Sequence, residues 1–250
     1  MTAKNFLRRG ISTALLISIP SFYFLHTPET SRYLNTETFA PYEITDTEAV
    51  TPSTFKITVS SKYPQRGIHL PRDLYHIQIK HPLIQVQRPY TPISSDDACT
   101  LTFLVKKYRD GEVSGYIHSL FPGSEIQLRG PIIDYSIPSH VKQITFIAGG
   151  TGITPALQLS RSRPDLSIYI IHAHSSRDFH LTKVPPNVEY TEISNRLVLK
   201  GDLDGRKGTV LVCGPDGFIQ YIAGSKNLDG SQGFIAGLLG DLGESNVWKL

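Results

Sequence analysis

Short stretches in which hydrophobic and polar residues alternate dominate the chain between residues 51 and 137. A period of two is typical of β-strands, and turn-forming residues such as Arg109-Asp110-Gly111 separate the stretches. Many short strands at close spacing predict an antiparallel β-barrel, for which we expect six strands. The strand candidates are Thr54–Ser60, Leu74–Lys80, Ile84–Gln87, Leu101–Lys106 and Glu125–Leu128.

The pattern changes near residue 140. A continuous apolar run, Ile144–Ala148, leads into a glycine-rich turn and then into a helical stretch from Thr154 to Arg163. Apolar strands that alternate with helices and turns predict a parallel α/β sheet. The fold class is therefore mixed, with an antiparallel barrel domain at residues 49–137 and an α/β domain at residues 138–250. The later strand candidates are Ser167–Ala173, Val188–Ile193 and Thr209–Val212.

The first 28 residues differ from the rest of the chain. Lys4, Arg8 and Arg9 precede an apolar run from Ile11 to Leu25, and no acidic residue occurs before residue 29. A cleaved secretory signal, an uncleaved anchor, and a mitochondrial presequence followed by an anchor are the alternatives. The acid-free start with Arg, Ser and Thr favours mitochondrial import. We expect residues 1–28 to be a mitochondrial targeting segment and membrane anchor, and the polar residues 29–48 to be a linker.

Charge and cysteine content narrow the class of protein. The net charge of +3 comes from the amino terminus, because 22 basic and 22 acidic residues follow from Glu29 onward. We therefore expect no basic patch and no nucleic acid partner. Cys99 and Cys213 allow one disulfide but cannot alone form a structural zinc site. His172 and His174 share a strand face without a suitably spaced carboxylate or cysteine, so we expect structural histidines and no metal.

A glycine-rich turn follows the first buried strand of the α/β domain. The sequence Gly149-Gly150-Thr151-Gly152-Ile153-Thr154-Pro155 connects that strand to a helix. Glycine lets the backbone approach a phosphate closely, and a helix amino terminus presents unpaired N–H groups. Proline is well tolerated in the first helical turn. The turn is a candidate phosphate site, although a tight turn without a ligand has the same pattern.

The barrel segment contains two further candidate sites. Arg88-Pro89-Tyr90-Thr91-Pro92-Ile93-Ser94 combines an arginine that can bind a diphosphate, an aromatic ring that can flank a flavin, and a hydroxyl that can hydrogen-bond a ring nitrogen. Lys106 and Tyr108 lie on the next strand, and Gly111-Glu112-Val113-Ser114 then begins a short helix. A serine among free N–H groups at a helix start predicts a second phosphate contact.

A fourth segment, Cys213-Gly214-Pro215-Asp216-Gly217, ends the last parallel strand that the sequence predicts. The carboxyl ends of parallel strands are where open α/β sheets bind ligands. Cys213 has no C-x-x-C partner, which favours a small pocket residue over a redox-active thiol. The sequence also contains no nucleophile elbow of a hydrolase.

The four segments occur together in the order of a known family. From about Thr51 to about Phe218, the chain resembles the ferredoxin-reductase-type flavoproteins, and among them the NADH-cytochrome b5 reductases. The resemblance implies a barrel that binds FAD and a second domain that receives NADH or NADPH. By the same resemblance, Thr91 lies at the flavin ring and Cys213 at the nicotinamide ring, where the reaction takes place. The implied FAD contacts are Arg88, Pro89, Tyr90, Thr91, Lys106, Tyr108, Gly111, Ser114 and Thr154. The implied nucleotide contacts are Gly149, Gly150, Thr151, Gly152, Cys213, Gly214 and Pro215.

Two features depart from that family. The segment between Ala173 and Val210 is shortened, and the acidic residue that selects NADH over NADPH has no clear counterpart, although Arg177-Asp178 and Glu192 are available. We therefore expect slow reduction by either nucleotide, because fewer contacts position the nicotinamide. Trp248, the only tryptophan, either covers the flavin ring or packs against the sheet.

The resemblance implies an NAD(P)H-dependent FAD oxidoreductase that passes electrons to haem or to a haem protein of the cytochrome c or b5 type. Among fungal relatives, the overall plan resembles a mitochondrial factor for cytochrome c import and haem attachment. Such a protein is anchored in the mitochondrial inner membrane, with its flavin domain facing the intermembrane space. The alternatives are an ordinary NADH-cytochrome b5 reductase and a non-catalytic FAD-binding assembly module.

Overall fold

The computed structural model describes residues 31–94, 97–175, 179–243 and 246–250. They form two β-sheets with three α-helices, α1 at Glu112–Ser119, α2 at Thr154–Ser162 and α3 at Asp216–Ala223. The strands are β1 (Ala40–Thr51), β2 (Thr54–Ser61), β3 (Leu74–Lys80), β4 (Gln87–Tyr90), β5 (Pro92–Ser94), β6 (Thr100–Lys106), β7 (Glu125–Tyr135), β8 (Gln143–Gly149), β9 (Ser167–His174), β10 (Val188–Ser194), β11 (Thr209–Cys213) and β12 (Val247–Lys249).

The first sheet is antiparallel and has the strand order β4-β3-β7-β1-β2-β6-β5. Its outer strands, β4 and β5, follow each other in the chain and are separated only by Thr91. The expected six-stranded barrel is therefore a seven-stranded sheet whose two edges are connected through one extended segment. The count differs because that segment pairs with β3 before Thr91 and with β6 after it.

The sheet begins earlier than the sequence analysis expects. Residues 40–48, assigned above to a linker, belong to β1, where Ala40, Tyr42 and Ile44 are fully buried. Their period of two was hidden by the Thr, Asp and Glu residues on the exposed face of the strand. The predicted anchor, residues 1–28, lies outside the described residues. Within the described ranges, no helix is both long enough and apolar enough to cross a membrane.

Two strand predictions needed correction. Leu83 and Ile84 are exposed in a turn, and Gln85 there has a φ of 59°, so the strand begins only at Gln87. The strand predicted at Glu125–Leu128 continues to Tyr135 and contains the Gly130-Pro131 pair. Proline usually interrupts a central strand. Here the pairing of β7 with β3 has a register shift next to this pair, which accommodates the missing N–H.

The second sheet is parallel and has the order β10-β9-β8-β11-β12. All central residues of β8 are buried, because one face packs on the core beside α2 and the other on the core beside α3. This burial on both faces explains the continuous apolar run in the sequence. Among the described residues of the two connections that flank β10, no α-helix occurs, which fits the shortened segment noted above.

A buried glutamine connects the two sheets. The side chain of Gln158, on α2, accepts a hydrogen bond from the Tyr75 N–H at 3.1 Å and donates one to the Tyr75 carbonyl at 3.0 Å. Leu74 is buried in the core of the second sheet although it belongs to the first. These contacts hold the second sheet against the first.

Candidate active site between the two sheets

A cavity of about 990 Å³ lies between the two sheets. This is the upper end of the range for pockets that hold small ligands. The cavity brings together fourteen of the sixteen residues that the sequence analysis assigned to the site. They are Arg88, Pro89, Tyr90, Thr91, Lys106, Tyr108, Gly111, Ser114, Thr151, Gly152, Thr154, Cys213, Gly214 and Pro215.

The segment that connects the two edges of the first sheet forms one wall. Arg88 is exposed, and its Nη1 donates to the Gln87 carbonyl at 3.0 Å, which leaves further guanidinium donors available. Tyr90 packs partly against the core of the first sheet. Burial raises the pKa of Tyr90 to about 12, so its phenol is neutral at physiological pH. Thr91 lies between the two strands and also contacts the cavity.

The start of helix α1 forms a second part of this wall. The Ser114 hydroxyl accepts from the Tyr108 N–H at 3.2 Å and donates to the Gly111 carbonyl at 3.1 Å. A Cβ on Gly111 would lie 2.4 Å from the Ser114 oxygen, so a larger residue there would displace this hydroxyl from its bonds. No side chain caps the helix start. The anion contacts that this turn offers are therefore backbone N–H groups, while the predicted serine maintains the shape of the turn.

The glycine-rich turn, residues 149–153, forms the opposite wall. It leaves β8, passes through a 3₁₀ turn at Gly150–Ile153, and continues into α2. Thr151, Gly152 and Thr154 contact the cavity, whereas Gly149 and Gly150 do not belong to its lining. A Cβ on Gly149 would lie 2.8 Å from the Phe218 ring, so this glycine serves close packing behind the turn.

The carboxyl end of β11 lies against the same turn. A Cβ on Gly152 would lie 2.4 Å from the Cys213 carbonyl oxygen, so the two backbones approach closely only because glycine is present. Burial, and secondarily the Asp134 carboxylate, raise the pKa of the Cys213 thiol to about 12. Cys213 and Cys99 are both free cysteines. Cys213 is therefore a neutral thiol, and the disulfide that two cysteines allow does not form.

The cavity residues that the sequence did not single out include His76, Asp134, Lys226 and Leu250. His76 Nδ1 lies 2.7 Å from Asp134 Oδ1, and both side chains contact the cavity together with Lys226 and Leu250. His76 alternates with the buried Tyr75 and Ile77, so the period of two already placed it on the opposite strand face. Asp134, Lys226 and Leu250 come from segments without a motif, and only the fold brings them to the site.

The structure of the carboxyl terminus distinguishes between the two roles considered for Trp248. Trp248 lies in β12, which pairs with β11, and its ring centroid is 5.1 Å from that of Tyr135. The tryptophan packs against the core of the second sheet, and it is Leu250 that contacts the cavity. Of the two roles considered above, the structure supports sheet packing.

The two histidines of β9 contact residues of the neighbouring strand, including a carboxylate that the sequence spacing did not reveal. His172 is fully buried and hydrogen-bonded to Tyr190 and to the Gly150 carbonyl, and His174 pairs with Glu192 at 2.9 Å. Glu192 is thus already partnered at the edge of the sheet. Arg177 and Asp178 lie outside the described residues.

Comparisons with known proteins agree with this geometry. Residues 41–137 match the family described as oxidoreductase FAD-binding domain. An uncharacterized FAD-binding protein of Schizosaccharomyces pombe is 34% identical over 231 residues, which cover 87% of this chain and 86% of that protein. NADH-cytochrome b5 reductase 2 of Phaeosphaeria nodorum is 32% identical, with 79% and 70% covered. An NADH-cytochrome b5 reductase-like protein of Arabidopsis thaliana is 36% identical, with 66% and 60% covered.

Solved structures share the fold. The cytochrome b5 reductase domain of Ulva prolifera nitrate reductase superimposes with a TM-score of 0.64 at 20% identity, covering 75% of this chain and 91% of that one. The CS-b5R domains of human Ncb5or give a TM-score of 0.63 at 18% identity, covering 84% and 69%. Both similarities concern the antiparallel sheet followed by the parallel sheet.

Proposed function

Because the chain belongs to the family of NADH-cytochrome b5 reductase-like FAD oxidoreductases, we propose that the cavity holds FAD and NADH side by side and that electrons leave it for a haem protein. The chain is an FAD-dependent oxidoreductase with NADH as electron donor. The observation that carries the proposal is the pairing of two walls across one cavity. The Arg88–Thr91 segment forms one wall, and the glycine-rich turn with Cys213 forms the other.

The residues on the first wall suit FAD. Arg88 has free donors in the planar arrangement that binds a diphosphate, and the uncapped start of α1 offers N–H groups to the same kind of anion. The neutral Tyr90 ring can flank a planar ring system, and the Thr91 hydroxyl can hydrogen-bond its edge. Bound FAD supplies a centre that accepts two electrons with a hydride and releases them singly.

The second wall suits a pyridine nucleotide. The turn presents Thr151 and Gly152 at the start of a helical segment, where backbone N–H groups and the helix dipole favour phosphate. Cys213 and Gly214 are small, and the Cys213 thiol keeps its proton, so neither side chain adds charge beside the nicotinamide. The task of these residues is to orient the nucleotide and to exclude water from the space between the walls.

We propose a haem acceptor, first as a class of protein and then in a specific role. The relatives named for cytochrome b5 reduction support a b5-type haem protein. The basic, acid-free amino terminus and the shortened connections around β10 support the finer proposal. In that proposal, the domain faces the intermembrane space from the mitochondrial inner membrane and reduces haem for attachment to cytochrome c. The balanced charge after Glu29 makes tethering more important than long-range steering.

One experiment separates the acceptors. The FAD-loaded protein is reduced with NADH under anaerobic conditions and mixed rapidly with cytochrome b5, with apocytochrome c plus haemin, or with neither. Reduction of haemin in preference to cytochrome b5 supports the haem-attachment role, whereas fast reduction of cytochrome b5 alone supports an ordinary reductase. A protein that binds FAD but is not reduced by NADH is the non-catalytic assembly module.

A further inference from the structure

A buried histidine lies directly behind the glycine-rich turn. The side chain of His172, on β9, is fully buried, and its Nε2 lies 2.8 Å from the carbonyl oxygen of Gly150. Its Nδ1 lies 2.9 Å from the Tyr190 hydroxyl, and that hydroxyl is 3.5 Å from the backbone N–H of Leu181. These contacts connect β9, β10 and the segment before β10 to the turn.

The hydrogen positions follow from the partners. A carbonyl oxygen only accepts, so His172 Nε2 carries the proton and donates to Gly150. The Leu181 N–H only donates, so the Tyr190 oxygen accepts it, and the same hydroxyl shares a hydrogen bond with His172 Nδ1 at 2.9 Å. Burial raises the pKa of Tyr190, so the hydroxyl keeps its proton. Both ring nitrogens of His172 thus have a hydrogen-bond partner.

The bond to Gly150 determines the direction of the next amide. The peptide unit from Gly150 to Thr151 is planar and trans, so its N–H points opposite to its C=O. With the carbonyl held toward His172, the Thr151 N–H points away from β9. Thr151 is also a residue of the cavity wall. Gly150 has a φ of 56°, a conformation that glycine adopts readily, and the bond to His172 adds an external contact to the 3₁₀ turn that begins there.

We propose that His172 is a positioning residue for the pyridine nucleotide: its bond to Gly150 orients the Thr151 amide toward the nucleotide diphosphate. Tyr190 supports the ring through its hydroxyl, and the segment at Leu181 is connected to the same network. The inference rests on the proposed function, because it requires that the turn receives a nucleotide. The affinity of the turn for phosphate then depends on a side chain of the neighbouring strand.

The test measures nucleotide binding by calorimetry on the full-length, FAD-loaded protein, with NAD⁺ and ADP-ribose as the probes. His172→Phe keeps the ring and removes both hydrogen bonds, and His172→Gln keeps an N–H donor at similar reach. We expect His172→Phe to weaken both probes about tenfold, the equivalent of about 1.4 kcal/mol, with wild-type FAD content. His172→Gln should restore most of the affinity. His140→Phe, at an exposed position, is the matched control.

Steady-state kinetics add a readout that a structural role alone would not give. The KM for NADH should rise in His172→Phe while the rate at saturating NADH stays close to wild type. Wild-type affinity in His172→Phe, or equal losses in His172→Phe and His172→Gln, would overturn the inference. A wild-type protein that binds neither probe would instead overturn the proposed function. If His172→Phe does not fold, Tyr190→Phe decides, because unchanged affinity in that variant contradicts the network.

Discussion

Arg88 is the residue whose loss we expect to weaken FAD binding most. Its guanidinium is exposed at the cavity and has donors beyond the one bonded to Gln87. Arg88→Ala should reduce FAD affinity by about 1.5–3 kcal/mol, the range for hydrogen bonds to charged groups. Fluorescence titration of the apoprotein with FAD measures the change. Arg66→Ala, on an exposed loop away from the cavity, serves as control, and equal FAD affinity in both variants would mean that the phosphate contact lies elsewhere.

Cys213 gives a prediction about pH. Its thiol has a pKa of about 12 in the folded protein, mainly through burial, against an ordinary value of about 8.5 in an unfolded chain. A raised pKa stabilises the fold fully at pH values below the unfolded pKa, and that contribution is lost as the pH rises toward 12. Wild type should therefore lose stability relative to Cys213→Ser between pH 8 and pH 10, as measured by urea unfolding. A constant difference across these pH values would contradict the assignment.

The same substitution tests the chemistry at this position. Since the thiol is neutral, Cys213→Ser should change the rate of flavin reduction by NADH only a few-fold and leave its pH profile between pH 6 and pH 8 unaltered. Stopped-flow absorbance under anaerobic conditions measures that rate. A kinetic step that disappears in the variant would show that the thiol takes part in electron transfer.

At the residue scale, the sequence identified those cavity residues that lie in local motifs. Arg88, Thr91 and Thr151 could be assigned because each lies in a short segment in which the neighbouring residues indicate a turn or a helix start. Asp134 and Lys226 could not, because only the packing of distant segments brings them to the cavity. Ser114 lies at the cavity as predicted, and its hydroxyl in addition bonds to its own turn, which no sequence pattern indicated.

At the scale of elements, the glycine-rich turn and β11 approach each other closely at Gly152, and this contact can be tested. A Cβ there would lie 2.4 Å from the Cys213 carbonyl, a backbone atom that cannot move aside easily. Gly152→Ala should push the glycine-rich turn away from β11 and weaken binding of NAD⁺ while leaving FAD bound. Gly217→Ala is the control, because its Cβ meets nothing within 4 Å. Isothermal titration with NAD⁺ compares the two, and similar affinities would show that the turn tolerates the displacement.

The packing of β12 provides a second test at this scale. Trp248 contacts Tyr135 and the core of the second sheet, so Trp248→Phe should lower the melting temperature without changing the visible flavin spectrum. The ratio of reduction rates with NADH and NADPH should also stay the same. A shifted flavin spectrum or an altered ratio would mean that the tryptophan reaches the flavin after all.

Elements were predictable where one physical cause dominated. Burial on both faces made β8 a continuous apolar run, and alternation identified β2 and β6. The prediction failed for β1, whose exposed face is acidic and hydroxylated, and for Ile84, an apolar residue in an exposed turn. The division into β4 and β5 depends on pairing with two distant strands, and no local pattern could reveal it.

At the scale of the whole molecule, we propose that the amino terminus determines where the enzyme works. We expect residues 1–28 to anchor the protein in the mitochondrial inner membrane, with the flavin domain in the intermembrane space. In protease-protection experiments, the domain should be degraded once the outer membrane is opened, while matrix proteins stay intact. Removing residues 1–28 should release a soluble protein that still binds FAD. A domain protected in the matrix or exposed to the cytosol would contradict this location.

The identity of the electron acceptor can also be tested at the scale of the whole molecule. If the protein reduces haem for attachment, a strain that lacks it should contain less holocytochrome c while synthesis of the apoprotein continues. Spectra of isolated mitochondria together with immunoblots of the apoprotein measure both quantities. Unchanged holocytochrome c would favour the b5-type acceptor instead.

The central claim is that one cavity brings FAD and NADH together. The most direct measurement is the visible absorbance of the purified protein during anaerobic titration with NADH. We expect a yellow protein that releases FAD, and not FMN, on heating and whose flavin absorbance is bleached by one equivalent of NADH. A colourless protein that cannot be reconstituted with FAD would contradict the cofactor, and bound FAD that NADH leaves oxidised would contradict the activity.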